Sequence, residues 1–125
     1  MTATETRPIP AAVWVRVCAV DDLERERGRA ALIDGEQVAL FVTHDDRIYA
    51  VQQLDPYSGA YVMARGIVGS RADAPTVASP MYKQVFDLRT GACLDSQGKE
   101  ERTLRTWAVG VDDHGDVLLK WKANA

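Results

Sequence analysis

Two cysteines and two histidines are the residues of this chain whose side chains could together hold a redox centre: Cys18, His44, Cys93 and His114. Two thiolates and two imidazoles are the ligand set of one type of [2Fe–2S] cluster. That site needs its ligands in local pairs, with one cysteine and one histidine offered from each of two tight loops. Here each of the four residues is more than 20 positions from the next. The spacing therefore excludes such a site.

The remaining polar residues predict no catalytic centre. A nucleophilic triad needs a base beside the nucleophile, and His44 and His114 both fall in predicted hairpin turns. The carboxylate pairs Asp45-Asp46 and Asp112-Asp113 fall in the same turns, where Asp is favoured because it bonds its own backbone. The sequence contains neither GxGxxG nor GxxxxGK[ST]. We therefore expect no metal and no cofactor in this chain.

Charge and composition exclude several classes of partner. The 125 residues carry 15 Lys and Arg against 18 Asp and Glu, which argues against binding to nucleic acid. No basic cluster and no long apolar segment favours a membrane. Cys18 and Cys93 form no CxxC pair, so we expect two partly buried thiols. Met1–Pro10 lacks the apolar core of a signal peptide, and we expect a cytoplasmic protein.

Short strands and turns dominate the first half of the chain. Apolar residues alternate with other residues from Val13 to Val17, the pattern of a half-buried strand. A helical turn is expected at 21–24, ended by Gly28. Ala30–Ile33 and Gln37–Thr43 predict a hairpin, because Asp34-Gly35 between them tolerates the positive φ angles of a type I′ turn. Arg47–Gln53 follows as a third strand.

The second half begins with a stretch rich in turn-forming residues. Leu54–Thr76 is expected to be a long irregular loop with a helical turn at Tyr61–Arg65, ordered by its apolar residues Tyr61, Val62, Ile67 and Val68. Strands are expected at Val77–Pro80 and Gln84–Leu88. Arg105–Val111 and Asp116–Trp121 then predict a final hairpin.

This pattern predicts an all-β fold. Seven or eight short strands at such spacing are typical of an antiparallel β-sandwich or small barrel. The length suits a single domain. We expect a flexible tail at residues 1–11, because Pro8 and Pro10 disfavour regular structure, and one folded domain at 12–122.

Two loops with their flanking strands resemble the frame of a Rieske domain. In that frame a Cys-Pro-x-His loop precedes Phe-Asp-Leu-x-Thr-Gly, and this chain has Ser79-Pro80-Met81-Tyr82 before Phe86–Gly91. The earlier Cys-Pro-His loop corresponds to Asp55-Pro56-Tyr57. The resemblance thus assigns Asp55, Tyr57, Ser79 and Tyr82 to the four ligand positions. None of these residue types suits the cluster.

The altered loops resemble the small subunit of the assimilatory NAD(P)H-dependent nitrite reductase, a Rieske-like domain without a cluster. The matching features cover about residues 13–121: Asp55-Pro56-Tyr57, Arg65-Gly66-Ile67, Ala78-Ser79-Pro80, Lys83-Gln84-x-Phe86 and Gly91-x-Cys93. The resemblance implies a non-catalytic subunit beside a large catalytic subunit. That partner would carry FAD, a [4Fe–4S] cluster and siroheme, and would reduce nitrite to ammonium with NADH or NADPH in nitrate assimilation.

Two other functions stay open at this point. The chain could be a free-standing Rieske-like interaction module for another oxidoreductase. A Rieske-type electron carrier is the third possibility, although no ligand pair is available for it.

The resemblance also leads to a hypothesis about how the two loops are held. Without a metal, Tyr57 and Tyr82 are expected to pack into the space of the cluster, and a tyrosine hydroxyl is expected to bond the backbone or Asp55. A preformed docking surface would result. Its candidate partner contacts, in or beside the loops, are Arg65, Arg71, Lys83, Tyr61 and Met63.

Overall fold

The computed structural model describes residues 13–121 and is almost entirely β-structure in that part of the chain. The tail predicted at residues 1–11 and the domain ends at 12 and 122 lie outside the described residues. None of the described helices is long and apolar enough to cross a membrane. The strands are β1 (Val13–Ala19), β2 (Gly28–Ile33), β3 (Glu36–Val42), β4 (Ile48–Gln52), β5 (Ile67–Arg71), β6 (Ala74–Ala78), β7 (Val85–Asp87), β8 (Cys93–Asp95), β9 (Thr106–Trp107), β10 (Val109–Val111) and β11 (Asp116–Trp121).

These strands form three antiparallel sheets. The first has the order β1-β11-β10, the second β2-β3-β4-β9 and the third β5-β6-β7-β8. Two single turns of 3-10 helix, Val20–Asp22 and Met63–Arg65, lie in the connections. The predicted all-β, antiparallel fold is confirmed, with more and shorter strands than the seven or eight expected.

The second sheet lies between two hydrophobic cores, and β3 shows this most clearly. Its residues Val38 and Leu40 face one core, which includes Val117 and Leu119 of the first sheet. The intervening Ala39 and Phe41 face the other core, which includes Val77 and Phe86 of the third sheet. Because successive side chains of a strand point to opposite faces, a strand buried on both sides is apolar throughout. That explains the continuous run Val38–Val42.

The hairpin predicted around Asp34-Gly35 is present. Its strands are β2 and β3, with Ile33 paired to Glu36. Asp34 has φ 53° and Gly35 has φ 78°, as a type I′ turn requires. The turn sequence alone was sufficient to predict this element.

The middle of the chain is more regular than the expected irregular loop. Residues from Leu54 to Thr76 include β5 and the start of β6, which form a hairpin. Its turn at Ala72-Asp73 lacks glycine, and Pro75 lies inside β6 opposite Ser70, so both usual sequence signals pointed away from a hairpin. Ile67, expected to pack, is 71% exposed.

Two further boundaries differ from expectation. The helical turn expected at 21–24 lies at Val20–Asp22, and Gly28 begins β2 instead of ending the turn. The single strand expected at Arg105–Val111 is divided, because β9 pairs with β4 whereas β10 pairs with β11. This segment therefore passes from the second sheet to the first.

Candidate functional site

The first of the two loops at the predicted site, Asp55–Ala60, is closed by its own backbone. The Asp55 N–H donates to the Ala60 carbonyl at 2.8 Å, and the Gly59 N–H donates to the Asp55 carbonyl at 2.8 Å. The Asp55 side chain also accepts the Tyr57 N–H at 2.9 Å. Gly59 has φ 77°, a conformation that glycine adopts without strain. The loop is thus preformed by local hydrogen bonds.

The second loop, Ser79–Gln84, repeats this geometry. The Ser79 N–H donates to the Gln84 carbonyl at 2.9 Å, and the Lys83 N–H donates to the Ser79 carbonyl at 3.1 Å. The Ser79 hydroxyl accepts the Met81 N–H at 3.1 Å. Lys83, which has φ 65°, occupies the position of Gly59 in the first loop. A lysine here is held in a backbone conformation that side chains disfavour.

One hydrogen bond joins the two loops directly. The Ser79 hydroxyl donates to Oδ2 of Asp55 at 2.6 Å, and both residues are at most 1% exposed. The bond therefore connects the two residues assigned to the cysteine positions. Sequence analysis identified both positions but not their contact.

Tyr57 adds a second connection, to the segment after β8. Its hydroxyl donates to the Glu100 carbonyl at 2.8 Å and accepts the Arg102 N–H at 2.9 Å. The hydroxyl also lies 3.4 Å from Sγ of Cys93, and the ring lies 6.1 Å from that of Phe86. Burial and the contact with Cys93 raise the pKa of the Tyr57 phenol. The hypothesis that Tyr57 packs and that its hydroxyl bonds either the backbone or Asp55 is thus supported in its first alternative, while Asp55 accepts the backbone N–H of Tyr57.

Tyr82 does not pack as expected. Its side chain is 57% exposed, and its neighbour Met81 is 46% exposed. The Asp55–Ser79 hydrogen bond connects the loops without it. The expectation that two tyrosines fill the space between the loops is therefore wrong for Tyr82, which lies on the surface.

The residues at the four ligand positions do not fit a [2Fe–2S] cluster. Asp55 and Ser79 supply oxygen atoms that bond to each other, while thiolates and imidazoles are the ligands such a cluster needs. Within residues 13–121, no three His, Cys, Asp or Glu side chains are grouped as a metal site would require. His44 and His114 are exposed in turns, and Cys18 and Cys93 are free thiols, the first buried and the second half-buried.

The candidate partner contacts divide into three groups. Arg65, Lys83 and Tyr61 are exposed beside the loops, as expected. Arg71 is exposed too, but it pairs with Asp95 at 3.4 Å. Met63 is fully buried in the core shared by the second and third sheets, so its inclusion as a surface contact was wrong. An apolar residue in a loop can be part of the core, and sequence pattern does not separate the two cases.

A cleft of about 700 Å³ opens beside the loop pair, and sequence analysis did not predict it. Its walls are Pro56, Tyr57, Tyr82, Gln84, Gln97, Lys99, Glu100 and Arg102. The segment 97–102 lies beside the loops, because its backbone is hydrogen-bonded to the Tyr57 hydroxyl. Gln84 could have been identified from the sequence, because Lys83-Gln84 is part of a motif shared with the resembled family. Residues 97–102 belong to no such motif, so no sequence pattern indicated that they lie at the site.

Comparison with known proteins agrees with this geometry. Residues 13–120 match the model of the Rieske-like [2Fe–2S] domain. The nitrite reductase (NADH) small subunit of Salmonella typhimurium is 38% identical over 108 residues, covering 86% of this chain and 96% of that protein. The crystal structure of a candidate NADH-dependent nitrite reductase small subunit from Mycobacterium tuberculosis superposes with a TM-score of 0.82 at 39% identity, covering 92% of this chain and 100% of that one.

A third relative is much larger. The nitrite reductase [NAD(P)H] large subunit of Klebsiella oxytoca is 35% identical over 105 residues, which are 84% of this chain but only 11% of that protein. The small-subunit match, by contrast, is nearly full length on both sides. The chain therefore belongs to the Rieske-like domain family and, within it, to the small subunits of nitrite reductase.

Proposed function

We propose that this chain is a non-catalytic subunit that acts while bound to a large catalytic subunit of nitrite reductase. The partner would carry siroheme, a [4Fe–4S] cluster and FAD, and would reduce nitrite to ammonium with NADH or NADPH. The chain itself would hold no cofactor. Its contribution would be a rigid surface that docks on the partner.

The observation that carries this proposal is the match inside the Klebsiella oxytoca large subunit. There, a segment similar to 84% of this chain is part of the same polypeptide as the rest of a nitrite reductase large subunit. A domain found fused in one protein and separate in another is expected to contact the same partner in both. Physical association is therefore the simplest role for the separate chain.

The geometry of the loops supports the docking role. Two preformed loops joined by a buried hydrogen bond present a surface that loses little conformational entropy on binding. Exposed apolar and cationic side chains lie on these loops, among them Tyr82, Met81 and Lys83. Of the contacts expected from sequence, Arg65, Arg71, Lys83 and Tyr61 remain part of this proposal. The free thiols of Cys18 and Cys93 suit a cytoplasmic location, which is also proposed.

Reconstitution tests the proposal. The full chain and the large subunit encoded with it are purified separately and mixed, and NAD(P)H-dependent nitrite consumption and ammonium formation are measured with and without the chain. We expect a stable complex and faster turnover when the chain is present. The chain alone is expected to show no activity.

Two results would contradict the proposal. A large subunit that is equally active without the chain, and that does not bind it, would favour a free-standing module serving another oxidoreductase. A purified chain with stoichiometric iron and a visible absorption spectrum would favour an electron carrier.

A further inference from the structure

The cleft beside the loop pair contains a buried polar group without a partner. Gln84 is 1% exposed and lines the cleft, and its Oε1 has no hydrogen-bond partner among residues 13–121. Burying an acceptor without a donor costs free energy, so such groups are rare in folded proteins. A donor from outside the described residues, either a water molecule or a group of a bound partner, would satisfy this atom.

The backbone of the residue that carries this acceptor is held by hydrogen bonds. The Gln84 carbonyl accepts the Ser79 N–H at 2.9 Å, which closes the second loop. Ser79 is in turn bonded to Asp55 at 2.6 Å. These bonds hold the Cα of Gln84 in position, and the buried side chain that projects from it lies at the wall of the cleft.

Two cations line the same cleft without carboxylate partners, and a third is adjacent to a lining residue in the sequence. Lys99 and Arg102 line its wall, and Lys83 precedes Gln84. None of the three forms an ion pair within residues 13–121, whereas six other arginines of this part of the chain do. Glu100 is the one carboxylate among the residues that line the cleft. The cleft is thus locally positive on a chain whose formal net charge is −3.

This charge distribution favours a partner segment that is negatively charged. An acidic segment is attracted to the cleft and repelled by the rest of an acidic chain, which orients the encounter. Tyr82 and Met81 add exposed apolar surface at the rim, where aromatic residues and methionine are favoured in interfaces.

We propose that the cleft receives an acidic segment of the large subunit. Carboxylates of that segment face Lys83, Lys99 and Arg102, and one of its N–H groups donates to Oε1 of Gln84. This inference rests on the proposed function and deepens it, because it assigns the docking surface to one site. It also adds Gln84, Lys99 and Arg102 to the proposed contacts.

Two variants of the full chain test the cleft. Gln84→Met keeps the volume and removes the unpaired acceptor, so the isolated chain should keep or raise its Tm. Its Kd for the large subunit should rise about tenfold, because the donor of the partner loses its acceptor. Lys99→Glu/Arg102→Glu should raise the Kd by at least tenfold and make it less dependent on salt.

A third variant is the matched control. Lys120 is an exposed residue of β11 that forms no ion pair within residues 13–121 and does not line the cleft. Lys120→Glu changes the net charge in the same direction, and its Kd should stay within about twofold of the wild-type value, since charge far from an interface has little effect on affinity.

The possible results separate the two proposals. If the wild-type chain fails to bind the large subunit, both the subunit role and the cleft are contradicted. If the wild-type chain binds and the two cleft variants bind equally well, the cleft is wrong and the subunit role stands. If nitrite or NADH alone shifts the NMR signals of the Gln84 side-chain amide in the isolated chain, the cleft is a small-molecule site and the docking proposal is overturned.

Discussion

The Ser79 hydroxyl lies 2.6 Å from Oδ2 of Asp55, in the buried space between two loops of the same backbone geometry. In the Rieske frame these two positions would supply the thiolates. The loop pair is therefore held by a direct side-chain hydrogen bond where a clustered domain uses iron.

The energy of this bond can be measured with a double-mutant cycle. Ser79→Ala leaves the buried Asp55 side chain with one partner fewer, and we expect a loss of about 2 kcal/mol in the free energy of unfolding. Asp55→Asn, Ser79→Ala and the double variant should give a coupling energy of about 1 kcal/mol or more. The measurement is chemical denaturation followed by tryptophan fluorescence. Additive effects would show that the bond does not stabilise the loop pair.

Tyr57 and Tyr82 provide a matched pair of substitutions. Tyr57→Phe removes the hydrogen bonds to the Glu100 carbonyl and from the Arg102 N–H, and about 1–2 kcal/mol of stability should be lost. Tyr82→Phe changes an exposed side chain and should have an effect below about 0.5 kcal/mol. Thermal unfolding of the two variants compares them. Equal losses would contradict the distinct roles assigned to the two tyrosines.

The raised pKa of the Tyr57 phenol predicts that the free energy of unfolding decreases at alkaline pH. Burial and the contact with Cys93 raise the pKa of Tyr57 in the folded chain, so the fold favours the neutral form. This contribution is complete below the unfolded-state pKa of about 10 and is lost as the pH rises through the folded-state pKa. The wild-type chain should therefore lose more unfolding free energy above about pH 10 than Tyr57→Phe does. Parallel pH profiles would contradict this.

Two glycines should respond differently to alanine. Gly59 and Gly91 have φ of 77° and 79°, but a Cβ at Gly59 would meet no atom within 4 Å, whereas one at Gly91 would overlap the Leu104 carbonyl. Gly59→Ala should cost about 1 kcal/mol through backbone strain alone. Gly91→Ala adds a steric conflict and should cost about 3 kcal/mol. Equal unfolding free energies for the two variants would contradict the packing of residues 91 and 104.

The retained loop geometry predicts that the ligand set can be restored. The spacings of Asp55 to Tyr57 and of Ser79 to Tyr82 match the Cys-x-His and Cys-x-x-His pairs of a Rieske site. Asp55→Cys, Tyr57→His, Ser79→Cys and Tyr82→His together should allow reconstitution with iron and sulfide, and visible absorption should appear. The control is Asp55→Cys with Ser79→Cys alone, which lacks the imidazoles. A folded fourfold variant that takes up no iron would show that the loops differ from those of a clustered domain.

The sequence predicted those elements of the fold whose conformation depends on neighbouring residues in the chain. The Asp34-Gly35 turn fixed one hairpin, and the apolar run Val38–Val42 reflects a strand buried on both faces. The β5–β6 hairpin was missed because Ala72 adopts φ 53° without being glycine and Pro75 occupies a strand. Tertiary pairing outweighed local preference at those residues.

The sequence predicted which residues form the site but not which of them contact each other. The loop motifs identified Asp55, Tyr57, Ser79 and Tyr82, yet which of them would touch depended on the packing of strands distant in sequence. The cleft is similar, because the segment that carries Lys99 and Arg102 reaches the loops through the hydrogen bonds of Tyr57 and through the bond from Gln97 to the Lys83 carbonyl. Contacts between residues 43 or more positions apart leave no spacing pattern in a single sequence.

Analysis of iron and acid-labile sulfide in the freshly purified full chain tests the central claim most directly. If the Asp55–Ser79 hydrogen bond occupies the position of the cluster, the folded chain should contain neither element in stoichiometric amount and should show no visible absorption. About two iron atoms and two sulfides per folded chain would contradict the account.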